Sequence, residues 1–171
     1  MAKIGIFYGS TEGNTERVVG QIQEALGGED VAALHNVNSS SAEEMEQYDY
    51  LMLACSTWDI GVLQEDWDTF VDELEDVDFE GKTVTYLGLG DADGYPDTFV
   101  DGPGLIHERI ADSGAKFVGF WPTDGYDFEE SKAIIDDKFL GLVIDEDNQA
   151  DQTEERVATW VAQLKEEGFG A

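Results

Sequence analysis

Three short segments carry the groups that could do chemistry: Gly9-Ser10-Thr11-Glu12-Gly13-Asn14-Thr15, Ser56-Thr57-Trp58-Asp59-Ile60-Gly61 and Gly88-Leu89-Gly90-Asp91-Ala92-Asp93-Gly94-Tyr95. The first is rich in hydroxyls, glycines and amide donors, and it opens an amphipathic stretch. Its N–H groups therefore gather at the positive end of a helix, where a phosphate group is held. No Lys or Arg follows until Arg17, so a phosphate here is bound mainly by neutral donors. The segment has neither the Gly-Lys-Ser/Thr ending of a P-loop nor the Gly-x-Gly-x-x-Gly turn of a dinucleotide fold. The same residue types also build an ordinary N-cap and turn, and taken alone this segment leaves both readings open. The other two segments each put one large aromatic, Trp58 or Tyr95, on a polar loop. A single loop aromatic more often caps a core. Three segments that agree in position point instead to a flat aromatic ligand between Trp58 and Tyr95, with a phosphate tail reaching the first loop.

These segments need elements that present them at one end of a sheet. Short apolar runs alternate with amphipathic stretches along the whole chain, the pattern of an α/β domain with a parallel sheet. The spacing predicts strands over 3–8, 31–37, 50–55, 83–89, 116–121 and 139–144, several of them apolar without alternation, as strands covered on both faces are. Helices are expected over 15–26, with Val18, Val19, Ile22 and Leu26 on one stripe; over 64–74, with Trp67, Phe70, Val71 and Leu74; and over 152–166, with Val157, Trp160, Val161 and Leu164. A weaker helical pattern covers 105–111. Right-handed crossovers favour five parallel strands with helices on both faces and ligands outside the carboxyl ends of the strands. The polar stretch 122–138 has no helical period and reads as a loop inserted into the last strand.

Composition narrows the function. At 171 residues, 42% hydrophobic and with three prolines, the chain reads as one folded domain spanning 1–171. It carries 9 basic and 39 acidic residues, a formal net charge of −30, which repels nucleic acid and suits basic protein partners. A single cysteine, Cys55, excludes an internal disulfide and any cysteine-based metal cluster, and is expected to be a packed thiol. No signal-peptide pattern or long apolar span is present, so the reading is a cytoplasmic monomer without membrane insertion. No metal site is expected, and His35 and His107, away from all three loops, receive no role.

In order and position the three segments resemble those of the flavodoxins, small FMN-binding electron carriers, and the likeness runs essentially end to end. Gly9 to Thr15 is similar to the family's phosphate loop, Ser56 to Gly61 to its first isoalloxazine loop and Gly88 to Tyr95 to its second. Trp121-Pro122-Thr123-Asp124-Gly125-Tyr126, Lys138-Phe139-Leu140-Gly141-Leu142 and Asp145-Glu146-Asp147-Asn148-Gln149 resemble segments of the long-chain subgroup. The resemblance implies a three-layer αβα sandwich with a five-stranded parallel sheet in the order 2-1-3-4-5. It implies FMN held by Ser10, Thr11, Glu12, Gly13, Asn14 and Thr15, by Ser56, Thr57, Trp58, Asp59, Ile60 and Gly61, and by Gly88, Leu89, Gly90, Asp91 and Tyr95.

The implied activity is low-potential one-electron transfer in place of ferredoxin, shuttling between semiquinone and hydroquinone, with the Asp59-Ile60 carbonyl turned toward flavin N5–H. Glu12 stands where the family commonly has threonine and Asp59 where many long-chain members have asparagine, and each adds a negative charge beside the cofactor. No Lys or Arg occurs from Val18 to Gly81, while nine carboxylates fall from Glu65 to Glu80. Such a surface suits docking on ferredoxin-NADP reductase, photosystem I or a nitrogenase-type acceptor, and it also fits a solvated face or adaptation to salt. The alternative on this fold is an FMN-dependent NAD(P)H:quinone reductase, an enzyme rather than a carrier, although no second loop offers basic residues for nicotinamide phosphates. A phospho-receiver would need aspartate at Cys55, and a small phosphatase would need cysteine and arginine in the first loop; both are absent.

Overall fold

The continuous apolar runs become strands covered from both sides. In the computed structural model, which describes residues 2–9, 13–58 and 62–170, with Trp58 and Val62 by backbone alone, β1 (Ile4–Tyr8) is buried along its length. It leads through α1 (Asn14–Leu26) to β2 (Ala32–Asn36), then α2 (Ala42–Glu46) and β3 (Tyr50–Trp58). A short β4 (Val62–Leu63) returns antiparallel on β3 before α3 (Glu65–Phe70) and a 3-10 turn, Val71–Asp76. The remainder is β5 (Thr83–Leu89), α4 (Asp101–Ile110), β6 (Lys116–Phe117), β7 (Trp121–Pro122), β8 (Ile134–Ile135), β9 (Lys138–Phe139), β10 (Gly141–Ile144) and α5 (Thr153–Glu166).

The parallel sheet runs β2-β1-β3-β5-β10, which in strand sequence is the expected 2-1-3-4-5 order. The order reverses at β1, so right-handed crossovers send α1 and α5 to one face and α3 and α4 to the other. The α1 stripe (Val18, Val19, Ile22, Leu26) and the α5 stripe (Val157, Trp160, Val161, Leu164) are buried as the spacing predicts.

The fifth sheet position is filled in two pieces, because β6 pairs with Thr83 and Val84 while β10 pairs with Tyr86 to Leu89. The intervening chain is the predicted insertion, but it is not a plain loop. β7, β9 and β8 form a small antiparallel sheet, so the expected strands 116–121 and 139–144 are each broken where the chain leaves the main sheet. Asp136 and Asp137, at φ 54° and 68°, make the tight turn between β8 and β9, the left-handed pair that a two-residue hairpin requires.

Two helices also differ from their patterns. The expected helix 64–74 is α-helical only to Phe70, since Asp72, Glu73, Glu75 and Asp76 place negative charge at what would be its carboxyl end. Arg109 of α4 bridges two of them, at 3.1 Å from Asp72 and 3.4 Å from Glu75. The weak pattern over 105–111 is the second half of α4, which begins at Asp101 through Gly102, Pro103 and Gly104. Those small residues are demanded by contact, because a Cβ on Gly102 would lie 2.8 Å from the Cys55 sulfur. Among the described residues no helix is long and apolar enough to cross a membrane.

Candidate functional site

β1, β3 and β5 are neighbours in parallel register, Tyr8 beside Ala54 and Ser56 beside Leu89. Their carboxyl ends therefore open on one edge of the sheet, at the topological switch point where α/β folds bind ligands. The described parts of the three predicted segments lie there. Ser10, Thr11, Glu12, Asp59, Ile60 and Gly61 lie outside the described residues, and the residues that flank them fix where each segment leaves its strand.

The first segment leaves β1 under tight control. The N–H of Gly9 donates to the Ala54 carbonyl at 3.3 Å, and the same oxygen accepts the indole N–H of Trp67 at 2.7 Å. Gly9 cannot carry a side chain, since Gln64 and Trp67 of the α3 start occupy its Cβ position. Gln64 is itself buried and caps α3, its Oε1 accepting from Asp66 and Trp67 N–H at 3.1 and 3.3 Å. Sequence reading missed both supports, because Gln is a poor N-cap signal and Trp67 reads as core.

Gly13 is the N-cap of α1 at φ 89°, a left-handed conformation suited to glycine. Asn14 is half-buried and Thr15 buried in the first turn. A helix start with backbone N–H groups, a hydroxyl and an amide is a donor set that a phosphate fits.

The second segment corrects the expectation that a loop begins at Ser56. β3 continues to Trp58, with Ser56 paired to Leu89, and Thr57 and Trp58 paired to Leu63 and Val62 of β4. Ser56, Thr57 and Trp58 are therefore strand residues. Threonine and tryptophan suit such a strand; the signal was present and was outweighed by the polar run. The Thr57 hydroxyl accepts the N–H of Gly102 at 2.8 Å, so it fastens the first turn of α4 to the hairpin. Cys55 just before it is buried, and burial pushes its thiol well above the ordinary range; it remains a protonated packing group.

In the third segment Gly88 and Leu89 close β5, and the glycines make room for protein. A Cβ on Gly88 would meet Pro103 at 2.9 Å, and one on Gly90 would meet Val100 at 2.9 Å. Asp91 folds onto its own loop, accepting from Gly94 N–H at 2.8 Å and from the Asn148 amide at 2.9 Å. The Gly94 bond first, then Asn148, hold its carboxyl below the ordinary carboxylate range. Asn148 also donates to Asp145, which is buried and accepts from Ala92 N–H at 3.1 Å. The 145–149 segment thus braces this loop, a link that spacing could not show. Tyr95 is presented outward, 40% exposed, with its N–H bonded to the Asp91 carbonyl at 2.9 Å.

The two histidines have structural partners. His35 stacks on Phe7 and shares a 2.7 Å hydrogen bond with the Tyr48 hydroxyl. His107 pairs with the Tyr86 hydroxyl at 2.9 Å, and burial lowers its pKa.

The family model described as Flavodoxin matches residues 6–160. The chain is 51% identical to a flavodoxin of Nostoc sp. (strain PCC 7120 / SAG 25.82 / UTEX 2576) over 168 residues, 98% of each chain. It is 49% identical to flavodoxin 1 of Escherichia coli (strain K12) over 168 residues, 98% of this chain and 95% of that one. Among solved structures it is similar to Fusobacterium nucleatum flavodoxin bound to flavin mononucleotide, with a TM-score of 0.91 and 34% identity, covering 98% and 99% of the two chains.

Proposed function

The chain belongs to the flavodoxin family, and from that premise we propose that it binds FMN non-covalently at the carboxyl ends of β1, β3 and β5 and carries single electrons between other redox proteins. The observation that carries this reading is the convergence of the α1 start at Gly13, the β3–β4 pairing at Trp58 and the exposed Tyr95 on three adjacent strand ends. FMN, when bound, supplies two one-electron couples. The protein supplies position and field.

Gly13, Asn14 and Thr15, with Ser10, Thr11 and Glu12 before them, would hold the phosphate through neutral donors. Trp58 and Tyr95 would flank the ring, with Asp59, Ile60 and Gly61 at its edge and Gly88 to Asp91 behind it. Thr57 and the glycines Gly88 and Gly90 act through packing, since they set α4 against the hairpin and β5. Each nearby carboxylate opposes the arrival of negative charge by about 0.4 kcal/mol at ~10 Å in a water-like dielectric. Many acting together favour a low-potential carrier.

The acidic segment after the hairpin supports docking on basic redox proteins in the cytoplasm, such as ferredoxin-NADP reductase, photosystem I or a nitrogenase-type acceptor. The test is stepwise photoreduction under nitrogen of protein reconstituted with FMN. The expected result is reduction in two resolved one-electron stages. A single two-electron stage with steady NAD(P)H oxidation would make the protein a quinone reductase, and failure to retain FMN would overturn the reading altogether.

A further inference from the structure

Between Lys3 and Lys82 the chain has one basic residue, Arg17, and its placement is unfavourable for the helix that carries it. It lies near the amino end of α1, where the helix field repels a cation. Long helical side chains run back over the preceding turn, and the Arg17 Nη2 accordingly comes within 3.4 Å of Asn14 Oδ1. The same nitrogen is ion-paired to Glu146 Oε1. Glu146 is 12% exposed at its side chain and its other oxygen accepts the Thr153 hydroxyl at 2.9 Å, so α5 and the turn before it fix where the guanidinium sits.

The Asn14 carbonyl oxygen must face Arg17, because the opposite amide orientation would set donor against donor, and the amide –NH2 is thereby turned away from the guanidinium. The one cation of this region is also held a single turn from the helix start.

We propose that Arg17, clamped by Glu146, is a positioning residue for the phosphate of FMN, orienting the Asn14 amide as a donor and supplying the nearest positive charge. This rests on the FMN-binding reading above. Glu146 tempers that charge, so the clamp sets how strongly the site prefers a phosphorylated flavin over riboflavin.

The test is titration of the apoprotein with FMN and with riboflavin, followed by quenching of flavin fluorescence, in a double-mutant cycle. Arg17→Met is expected to weaken FMN about tenfold, because the hold on the Asn14 amide and the nearest positive charge are lost together, and to leave riboflavin within about twofold. Arg17→Lys should recover part of the loss. Glu146→Gln should tighten FMN in the parent and have a smaller effect beside Arg17→Met. Arg17 is half exposed, so the variant folds, and far-UV circular dichroism checks it. Equal loss of both flavins, no loss of either, or an identical Glu146→Gln gain in both backgrounds would overturn the proposal. A parent protein that binds neither flavin would overturn the functional reading beneath it.

Discussion

Thr57 belongs to the candidate site by sequence, and the structure gives its side chain a partner within the protein. Its hydroxyl accepts the Gly102 N–H, one of the donors that every helix start leaves without an intrahelical partner. Thr57→Val keeps the shape and removes the acceptor, so the apoprotein should lose about 1–3 kcal/mol in urea unfolding, while Thr57→Ser should recover most of it. Unchanged stability with weakened FMN binding would assign the hydroxyl to the ligand instead. Gly88 and Gly90 carry the same lesson, since the side chains of Pro103 and Val100 fill the space a Cβ would need. Residue type and spacing singled out the residues of three segments, and the structure sets the described strand ends that carry them side by side. They could not say which of those residues face the ligand, because that depends on what α4 presses against the sheet.

At the scale of elements, periodicity recovered what packing alone decides. The α1 and α5 stripes and the β1 and β5 strands follow from burial on both sides of a parallel sheet and lie where the pattern sets them, while β3 starts as read and runs on to Trp58. It failed where few residues act together: β4, β8 and β9 are two-residue strands, too short for any period, and they exist only through their partners. The insertion shows how such pieces are held.

The Tyr126 hydroxyl donates to the Val143 carbonyl of β10 and accepts the Trp121 indole N–H at 2.9 Å, with the Arg156 guanidinium 4.2 Å from the ring centre. Burial is the main cause that pushes this phenol up to about 12, Arg156 pulling the other way. An unfolded tyrosine ionises near ~10, so its contribution to stability is complete below that pH and is lost as pH rises through the folded value. The parent should therefore lose about 2 kcal/mol more than Tyr126→Phe between roughly pH 10 and 12. Unfolding curves at several alkaline pH values measure the difference; parallel losses in the two proteins would remove Tyr126 as the pin of the insertion.

For the whole molecule the governing quantity is a net charge of −30 over 171 residues, and its distribution is uneven. Lys3, Lys82 and Lys116 stand at the amino ends of β1, β5 and β6, while Arg109 and Lys165 lie in the last turns of α4 and α5. Lys82 is buried there, donating to the Glu46 and Tyr48 carbonyls at 2.8 and 2.6 Å. Much of the positive charge is thus gathered at the end of the sheet away from the three loops, and the loop end is left acidic.

Such a molecule resists its own folding and attracts basic partners by one field, so salt must act on the two with opposite sign. The Debye length falls from about 30 Å at 0.01 M to about 3 Å at 1 M. Across that range the thermal midpoint of the apoprotein should rise as self-repulsion is screened. The second-order rate of reduction by a basic reductase, followed by stopped flow, should fall by about tenfold or more as steering is lost. A rising midpoint with a flat rate would mean that the acidity serves stability in salt and plays no part in partner capture. A falling rate with an unchanged midpoint would place its effect in docking alone, because the fold would then be carrying its charge without measurable strain.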